Sequence, residues 1–306
     1  IHTAAGKEVK CERGESILSP QQKQENNLKY NKNTPIWLKA SAVYVTSLMS
    51  ALFVFITVCA LDGLFRSGPS LFGSVWDPEG GRFGIMPMIW ASGLLSLSSL
   101  ITGWAFAVGC CCFIHGFGPK WASELLARVL RIMTAVPTVV YGFASVFLLV
   151  PLIRNGLGGS GFSWLTASIV LSLLIMPTMV LSMDSAFRTI ESETRLTSAA
   201  LGFTREQNIA MVVLPASRQW IWSSALLGFG RAAGDTLIPT MLAGNAVQYA
   251  NTPLDAMRAL TAHIGLVLSS DVGGTAYLSL FVAGGILLFV SISANILFRL
   301  VRRKSL

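Results

Sequence analysis

Long uncharged apolar stretches set the pattern of this chain. Ala42 to Leu61, Met86 to Ile114, Ile132 to Ile153, Trp164 to Met183 and Val272 to Phe298 contain no Asp, Glu, Lys or Arg. Each supplies the roughly 20 residues that an α-helix needs to cross a bilayer. A further stretch, Gln219 to Val247, is apolar except for Arg231 and Asp235. Because a chain in lipid must satisfy its own backbone hydrogen bonds, the pattern predicts an all-α membrane protein with six transmembrane helices.

Composition agrees: of 306 residues, 53% are hydrophobic and 12% charged, against about 25% charged in soluble domains. A soluble enzyme, a disulfide scaffold and a nucleic-acid-binding domain are excluded, so the net charge of +8 has to be divided by side of the membrane. An even number of spans places both termini together. With the termini inside, 18 Lys/Arg lie on the cytoplasmic side and only four, Arg66, Arg82, Arg154 and Arg258, outside. Excess Lys/Arg marks the cytoplasmic face. The expected organisation is a cytoplasmic tail over residues 1–41, a six-helix domain over 42–299 and a basic cytoplasmic tail over 300–306. The first tail mixes its cations with Glu8, Glu12, Glu15 and Glu25, which favours a solvated tail over a lipid-binding patch. No secretory leader is expected, because a polar stretch precedes a first apolar segment too long for one, and a chain opening on Ile1 is expected to lack its native start. Cys110, Cys111 and Cys112 lie within the second span without metal or redox spacing, and read as packing residues.

Two features rise above the apolar background. The segment Asp184 to Arg218 is too long and too patterned for a simple connector. Gly202 follows good helix formers, as a helix-ending glycine does. Thr204 and Gln207 then fit the capping box that starts a new helix, and Pro215 breaks or kinks that helix near the membrane. The segment reads as helix, glycine bend, helix: an elbow lying at the membrane surface.

The second feature is Arg231 with Asp235. A charge at mid-bilayer costs about 2.5 to 3.5 kcal/mol, so the pair needs a reason to be there. Spacing of i, i+4 would place both on one helix face, where they neutralise each other or line a pathway. Arginine suits a tetrahedral oxyanion, because its planar fork donates parallel hydrogen bonds and stays charged. Thr138, Tyr141 and Asn245 offer further donors, although a hydroxyl such as that of Thr138 also commonly bonds its own backbone. The nearby Gly228, Gly230 and Gly234 read mainly as helix-packing surface, and Pro137 and Pro177 as kinks. His2, His115 and His263 form no metal-like group. Gly156, Gly158 and Gly161 satisfy G-x-G-x-x-G but fall in a loop between membrane spans, where no dinucleotide site is expected. The chain contains no G-x-x-x-x-G-K-[ST], so any nucleotide chemistry has to come from another polypeptide.

Gly202, nine residues, then Val212, Val213, Leu214 and Pro215 resemble the G-x9-I-x-L-P half of the loop motif of ABC importer permeases. The E-A-A half is replaced by Leu196, Thr197 and Ser198, with Glu193 one helical turn earlier. VPTVVYG (Val136 to Gly142), LGFGRAAGDT (Leu227 to Thr236), AGN (Ala243 to Asn245) and MRALTAHI (Met257 to Ile264) resemble, in the same order, the phosphate-specific transport permeases and among them the PstC-like inner-membrane subunits. That resemblance implies a type I ABC importer permease (MetI-like) architecture in the bacterial inner membrane. It implies coupling to a separate ATPase through Glu193, Leu196, Ser198, Ala199, Gly202, Leu214 and Pro215, and a substrate pathway through Arg231, Asp235, Thr138, Tyr141 and Asn245. The implied partners are a second related permease, an ATP-binding subunit dimer, a periplasmic phosphate-binding protein and membrane lipid. ATP and Mg would be held by the ATPase, with no cofactor on this chain and no catalytic residue. Import of another oxyanion, sulfate or molybdate, and a membrane signalling subunit without flux are the alternatives.

The charge asymmetry yields a topology test. Single cysteines at positions 192 and 251 in a cysteine-free background should differ: position 251 reacts with an impermeant thiol reagent in intact cells, whereas position 192 reacts only after permeabilisation. Labelling of position 192 from outside would overturn the orientation.

Overall fold

The computed structural model describes residues 36–268 and 274–304, in two units, 1–54 and 55–306. The expected N-terminal tail lies outside the described residues up to residue 35, and the first helix, α1 (Ile36–Ser67), already begins before Ala42. A two-residue hairpin, β1 (Trp76–Asp77) and β2 (Arg82–Phe83), separates it from α2 (Met86–Cys112). After α2 come a π-helical turn at Phe113–Phe117, α3 (Lys120–Ala135), α4 (Thr138–Leu157) and α5 (Trp164–Ala200). The elbow holds α6 (Arg205–Asn208), a second π-helical turn at Ile209–Val213 and α7 (Leu214–Ala216). The remainder is α8 (Arg218–Gly234), α9 (Leu237–Leu242), α10 (Leu260–Val267) and α11 (Thr275–Lys304). Residues 300–304 continue α11, and the rest of the expected C-terminal tail lies outside the described residues.

Among the described residues, five helices are long and apolar enough to cross a membrane: α1, α2 with its π-helical end, α4, α5 and α11. The sixth expected span is present in pieces, α8 and α9, with α10 as a further short helix in the segment that follows. The third span is also shorter than its apolar stretch. Val136 and Pro137 are extended, with ψ of 126° and 142°, so the chain breaks between α3 and α4. Proline disfavours helical backbone in the residue before it, which explains why the helix stops there.

The core is a seam between α2 and α5. Every fourth residue of α2 is buried, in the row Ala91, Leu95, Ser99, Gly103, Ala107 and Cys111. The matching row of α5 is Ala167, Leu171, Ile175, Met179, Met183 and Phe187. Small residues on one side let large ones on the other approach closely, which is how helices pack where lipid removes the hydrophobic drive. Gly103 is a point of close approach: a Cβ there would stand 3.1 Å from both the Ile175 side chain and the Ser172 carbonyl oxygen. Polar links add to the seam, since the Trp164 indole and the Ser168 hydroxyl both donate to Ser98 Oγ, at 2.9 and 3.1 Å.

Each end of α5 is tied down. At its start, the N–H groups of Trp164 and Leu165 donate to the carbonyls of Asp255 and Pro253, at 2.9 and 2.8 Å. These bonds use donors that the helix itself leaves unpaired. The Thr252 hydroxyl and the N–H groups of Thr252 and Asn251 bind the Asp255 carboxylate and hold it below the usual carboxylate range, so this loop is itself stiffened. At its far end, Phe203 N–H donates to Ser198 O (3.0 Å) and Gly202 N–H to Ala199 O (3.1 Å), the paired bonds of a Schellman stop. Gly202 has φ +74°, as the bend requires. Thr204 then opens α6 with the expected capping box: Gln207 N–H donates to Thr204 Oγ1 and Thr204 N–H to Gln207 Oε1.

The elbow is braced against the end of α2. Arg205 Nε donates to the His115 carbonyl at 2.7 Å, satisfying an acceptor at the helix C-terminus. His115 is buried between two carboxylates of α5, with Nε2 2.8 Å from Asp184 and Nδ1 3.0 Å from Glu191. Asp184 also accepts from Arg188 Nε at 2.9 Å.

Open space surrounds the position of a Cβ on Gly202, so a side chain there costs backbone strain alone. Gly202→Ala should lower stability by about 1–2 kcal/mol, and Gly202→Asn, which tolerates left-handed backbone, by clearly less. Thermal unfolding of the purified chain in detergent checks the order; an equal loss in both variants would mean that the strain is not in φ.

Candidate functional site

Helix α8 carries Arg231 and ends three residues later, at Gly234. Asp235 is extended, with φ −73° and ψ 128°, so the expectation that Arg231 and Asp235 share one helix face is corrected: the helix stops between them. Asp235 Oδ1 instead accepts the N–H of Ile238 at 2.8 Å, and so helps to start α9. Its carbonyl accepts from Thr261 Oγ1 at 2.8 Å, which ties the break to α10. Arg231 is close enough to act electrostatically on Asp235, yet no ion pair joins them among the described residues.

The guanidinium of Arg231 is exposed and borders a cavity of about 460 Å³ between α5, α8 and α11. Thr178, Ser223, Ser291 and Asn295 line the same cavity. Thr178 follows Pro177 inside α5, where the missing N–H of proline leaves a gap in the helix ladder. Ser223 Oγ donates to its own helix at Gln219 O, 2.8 Å away, which leaves its lone pairs as acceptors. The arrangement is a single positive charge at a largely apolar hollow, with Leu226, Leu227 and Phe229 in its wall beside three hydroxyls and an amide; the charge can hold an anion through charge-assisted hydrogen bonds.

The other expected pathway residues do not line this cavity. Tyr141 lies within electrostatic reach of Arg231, but its hydroxyl donates to Met133 O at 2.9 Å and so bridges the break between α3 and α4. Thr138 is the half-buried first residue of α4. Asn245 sits in the loop after α9 with φ +56°, donating from Nδ2 to Thr240 O at 2.7 Å, and its backbone carbonyl accepts from Arg258 Nε at 2.9 Å. Its Oδ1 is buried and unpartnered. Thr178, Ser223, Ser291 and Asn295 escaped the sequence reading because Ser, Thr and Asn recur throughout the spans, and nothing local marks the ones that face a cavity.

The elbow sorts its expected residues into two groups. Glu193, Leu196, Ala199, Gly202 and Pro215 are exposed, beside the apolar side chains of Leu201 and Met211. Ser198 is buried, its hydroxyl donating to Asn208 Oδ1 at 2.7 Å, and Leu214 packs partly against the core. Ser198 therefore shapes the elbow from within, and the outward surface mixes apolar side chains with charges of both signs, Glu193 and Glu206 beside Arg195 and Arg205.

Residues 101–305 match the family described as binding-protein-dependent transport system inner membrane component. The chain is 29% identical over 245 residues to the probable ABC transporter permease protein YqgH of Bacillus subtilis strain 168, covering 78% of each chain. It is 24% identical over 284 residues to the phosphate transport system permease protein PstC of Haemophilus influenzae, covering 86% of this chain and 90% of that one. Among solved structures, it resembles a chain of a bacterial ABC transporter involved in the import of the acidic polysaccharide alginate, with a TM-score of 0.61, 15% identity and coverage of 90% and 98%. It also resembles a chain of the inward-facing MetNI methionine ABC transporter, with a TM-score of 0.56, 14% identity and coverage of 72% and 96%. At such identities the two structures share the fold alone.

The role of Asp235 as a start for α9 can be separated from an ionic role. Asp235→Asn keeps an oxygen for the Ile238 N–H and should unfold close to the parent temperature, whereas Asp235→Leu should cost about 1 kcal/mol. If Asn were as damaging as Leu in detergent unfolding, the charge rather than the hydrogen bond would be what matters.

Proposed function

We propose, from the premise that the chain belongs to the family of binding-protein-dependent transport system inner membrane components, that it is a permease subunit of an ATP-driven importer of inorganic phosphate. As an ABC importer permease of MetI-like architecture it is a multi-pass membrane protein and a transport component rather than an enzyme. Phosphate as the cargo is supported by the several relatives named as phosphate transport permeases. The observation that carries the reading is Arg231, unpaired by any carboxylate among the described residues and bordering a cavity whose largely apolar wall also carries three hydroxyls and an amide.

In this reading Arg231 offers its fork to the oxygens of a passing phosphate, and the Thr178, Ser223, Ser291 and Asn295 side chains complete a polar path at the break in the sixth span. Asp235 acts by holding the break open rather than by neutralising the arginine. A second permease subunit completes the pathway, and an external phosphate-binding protein supplies much of the selectivity. The elbow and both termini lie on the cytoplasmic side. There the exposed Glu193, Leu196, Ala199, Gly202 and Pro215 meet a dimeric ATPase, which holds the ATP and Mg. The capped, glycine-bent elbow continues directly into α5 and, through α7, into α8, so motion of the ATPase reaches both walls of the cavity.

Arg231→Lys keeps the charge and loses the bidentate geometry. In vesicles carrying the assembled complex, it should reduce radiolabelled phosphate uptake by at least about tenfold, the effect of losing roughly 1.4 kcal/mol from a charge-assisted bond. Assembly should be unchanged. Uptake near the parent level would remove Arg231 from the pathway, and stronger inhibition by unlabelled sulfate or molybdate than by phosphate would overturn the choice of anion.

A further inference from the structure

A second polar cavity, of about 530 Å³, lies at the end of the molecule that carries the elbow. Five cations border it: Lys120, Arg128 and Arg131 from α3, Arg188 from α5, and Arg205 from α6. Only two carboxylates do so, Glu124 and Glu191. Glu191 is engaged by His115 Nδ1, and Asp184, just behind the wall, by His115 Nε2 and Arg188 Nε. The one remaining ion pair at the rim, Arg128 with Glu124, spans 3.4 Å between exposed side chains and adds little in water. Lys120, Arg131 and Arg205 have no ion-pair partner among the described residues.

So many uncompensated cations around one hollow repel one another unless an anion joins them. Arg205 and His115 cannot swing away, since Arg205 is bonded to the end of α2 and His115 is locked between two carboxylates. The cavity thus has a fixed inner edge at Arg205 and His115, with the exposed Lys120, Arg128, Arg131 and Arg188 around its rim. Its outer wall, α3, has an unusual split. Trp121, Leu125, Val129 and Ile132 form an exposed apolar stripe, the adjacent face carries Lys120, Glu124, Arg128 and Arg131, and Leu130 and Ser123 turn into the protein. A helix with those faces lies in the plane of a membrane surface, its apolar stripe in the acyl boundary and its cations among the headgroups. Basic pockets at that depth suit phosphate groups.

We propose that this cavity is a binding site for a phosphate group: the phosphodiester of an anionic phospholipid headgroup, or inorganic phosphate. Guanidinium forks match phosphate oxygens in pairs, which explains why four of the five cations are arginine. The site is separate from the cavity at Arg231 and does not rest on the identity of the transported solute. Its occupant would sit between α3, α5 and the elbow, so that binding there stiffens the joint between the last turns of α5 and the segment that leads to α8.

The test uses the full chain in nanodiscs of phosphatidylcholine, with or without added phosphatidylglycerol. Native mass spectrometry reads the phosphatidylglycerol retained per chain. In parallel, inorganic phosphate is titrated calorimetrically into the Arg231→Gln chain in pure phosphatidylcholine, which removes the charge of the other anion cavity from the reading. The variant Lys120→Gln/Arg128→Gln/Arg131→Gln should weaken retention by about fivefold for each charge removed, while Arg66→Gln/Arg82→Gln, distant in the fold, leaves it unchanged. Arg131→Gln alone gives a milder version should the triple variant fold poorly. Selective phosphatidylglycerol retention, lost in the α3 variants, identifies a lipid site, and phosphate binding lost in the same variants identifies a free-phosphate site. Neither signal in the parent chain, or equal loss in the Arg66/Arg82 control, overturns the proposal.

Discussion

Close approach of α2 and α5 is the constraint on which the other elements depend. Two rows of every fourth residue face each other, small on α2 and larger on α5, and Gly103 sets how near the backbones come. The same pair borders both cavities: α5 supplies Thr178 to one and Arg188 to the other, and its last turn becomes the elbow. α8 packs against both members of the seam. A change in the seam therefore moves the walls of both cavities together.

Most polar groups inside the spans are silent, because they are satisfied within their own helices. Thr102 donates to Ser98 O, Ser145 to Tyr141 O, Ser172 to Ile169 O and Ser224 to Ile221 O. Such back-bonding removes the cost of burying a hydroxyl. Against that background, the groups that remain unsatisfied carry information. Arg231 lacks a carboxylate, and Asn245 Oδ1 is buried without a partner in a loop that the left-handed residue itself creates. Both lie in the interrupted sixth span, where irregular backbone is tolerated only while protein rather than lipid surrounds it.

The elements that could be read from the sequence were those set by local chemistry. Apolar length marked most of the spans, and Gly202, Thr204 and Gln207 marked the elbow down to its capping bonds, whereas Pro137, which reads as a kink within the third span, is a full break before α4. Where partners are distant in sequence, the signal disappears. His115 finds Asp184 and Glu191 at separations of 69 and 76 residues, and no spacing rule connects them. Asp235 shows the opposite failure. Its i, i+4 distance from Arg231 is a strong local signal, but it was overridden when the carboxylate bonded forward to Ile238 and the helix ended. Helical spacing holds only while the helix continues, and charge alone does not say whether it does.

The interrupted span also has a consequence for how the protein is made. With 17 helical residues and an arginine in its last turn, α8 is a poor membrane segment by itself, since a spanning helix needs about 20 apolar residues and an ionised side chain within the membrane further opposes insertion. Synthesis runs from the N-terminus, so α2 and α5 are both in the bilayer before α8 emerges. They offer a ready groove of small and polar side chains that lipid cannot. The order of elements along the chain thus serves biogenesis: the least hydrophobic span arrives only once its protein surroundings exist.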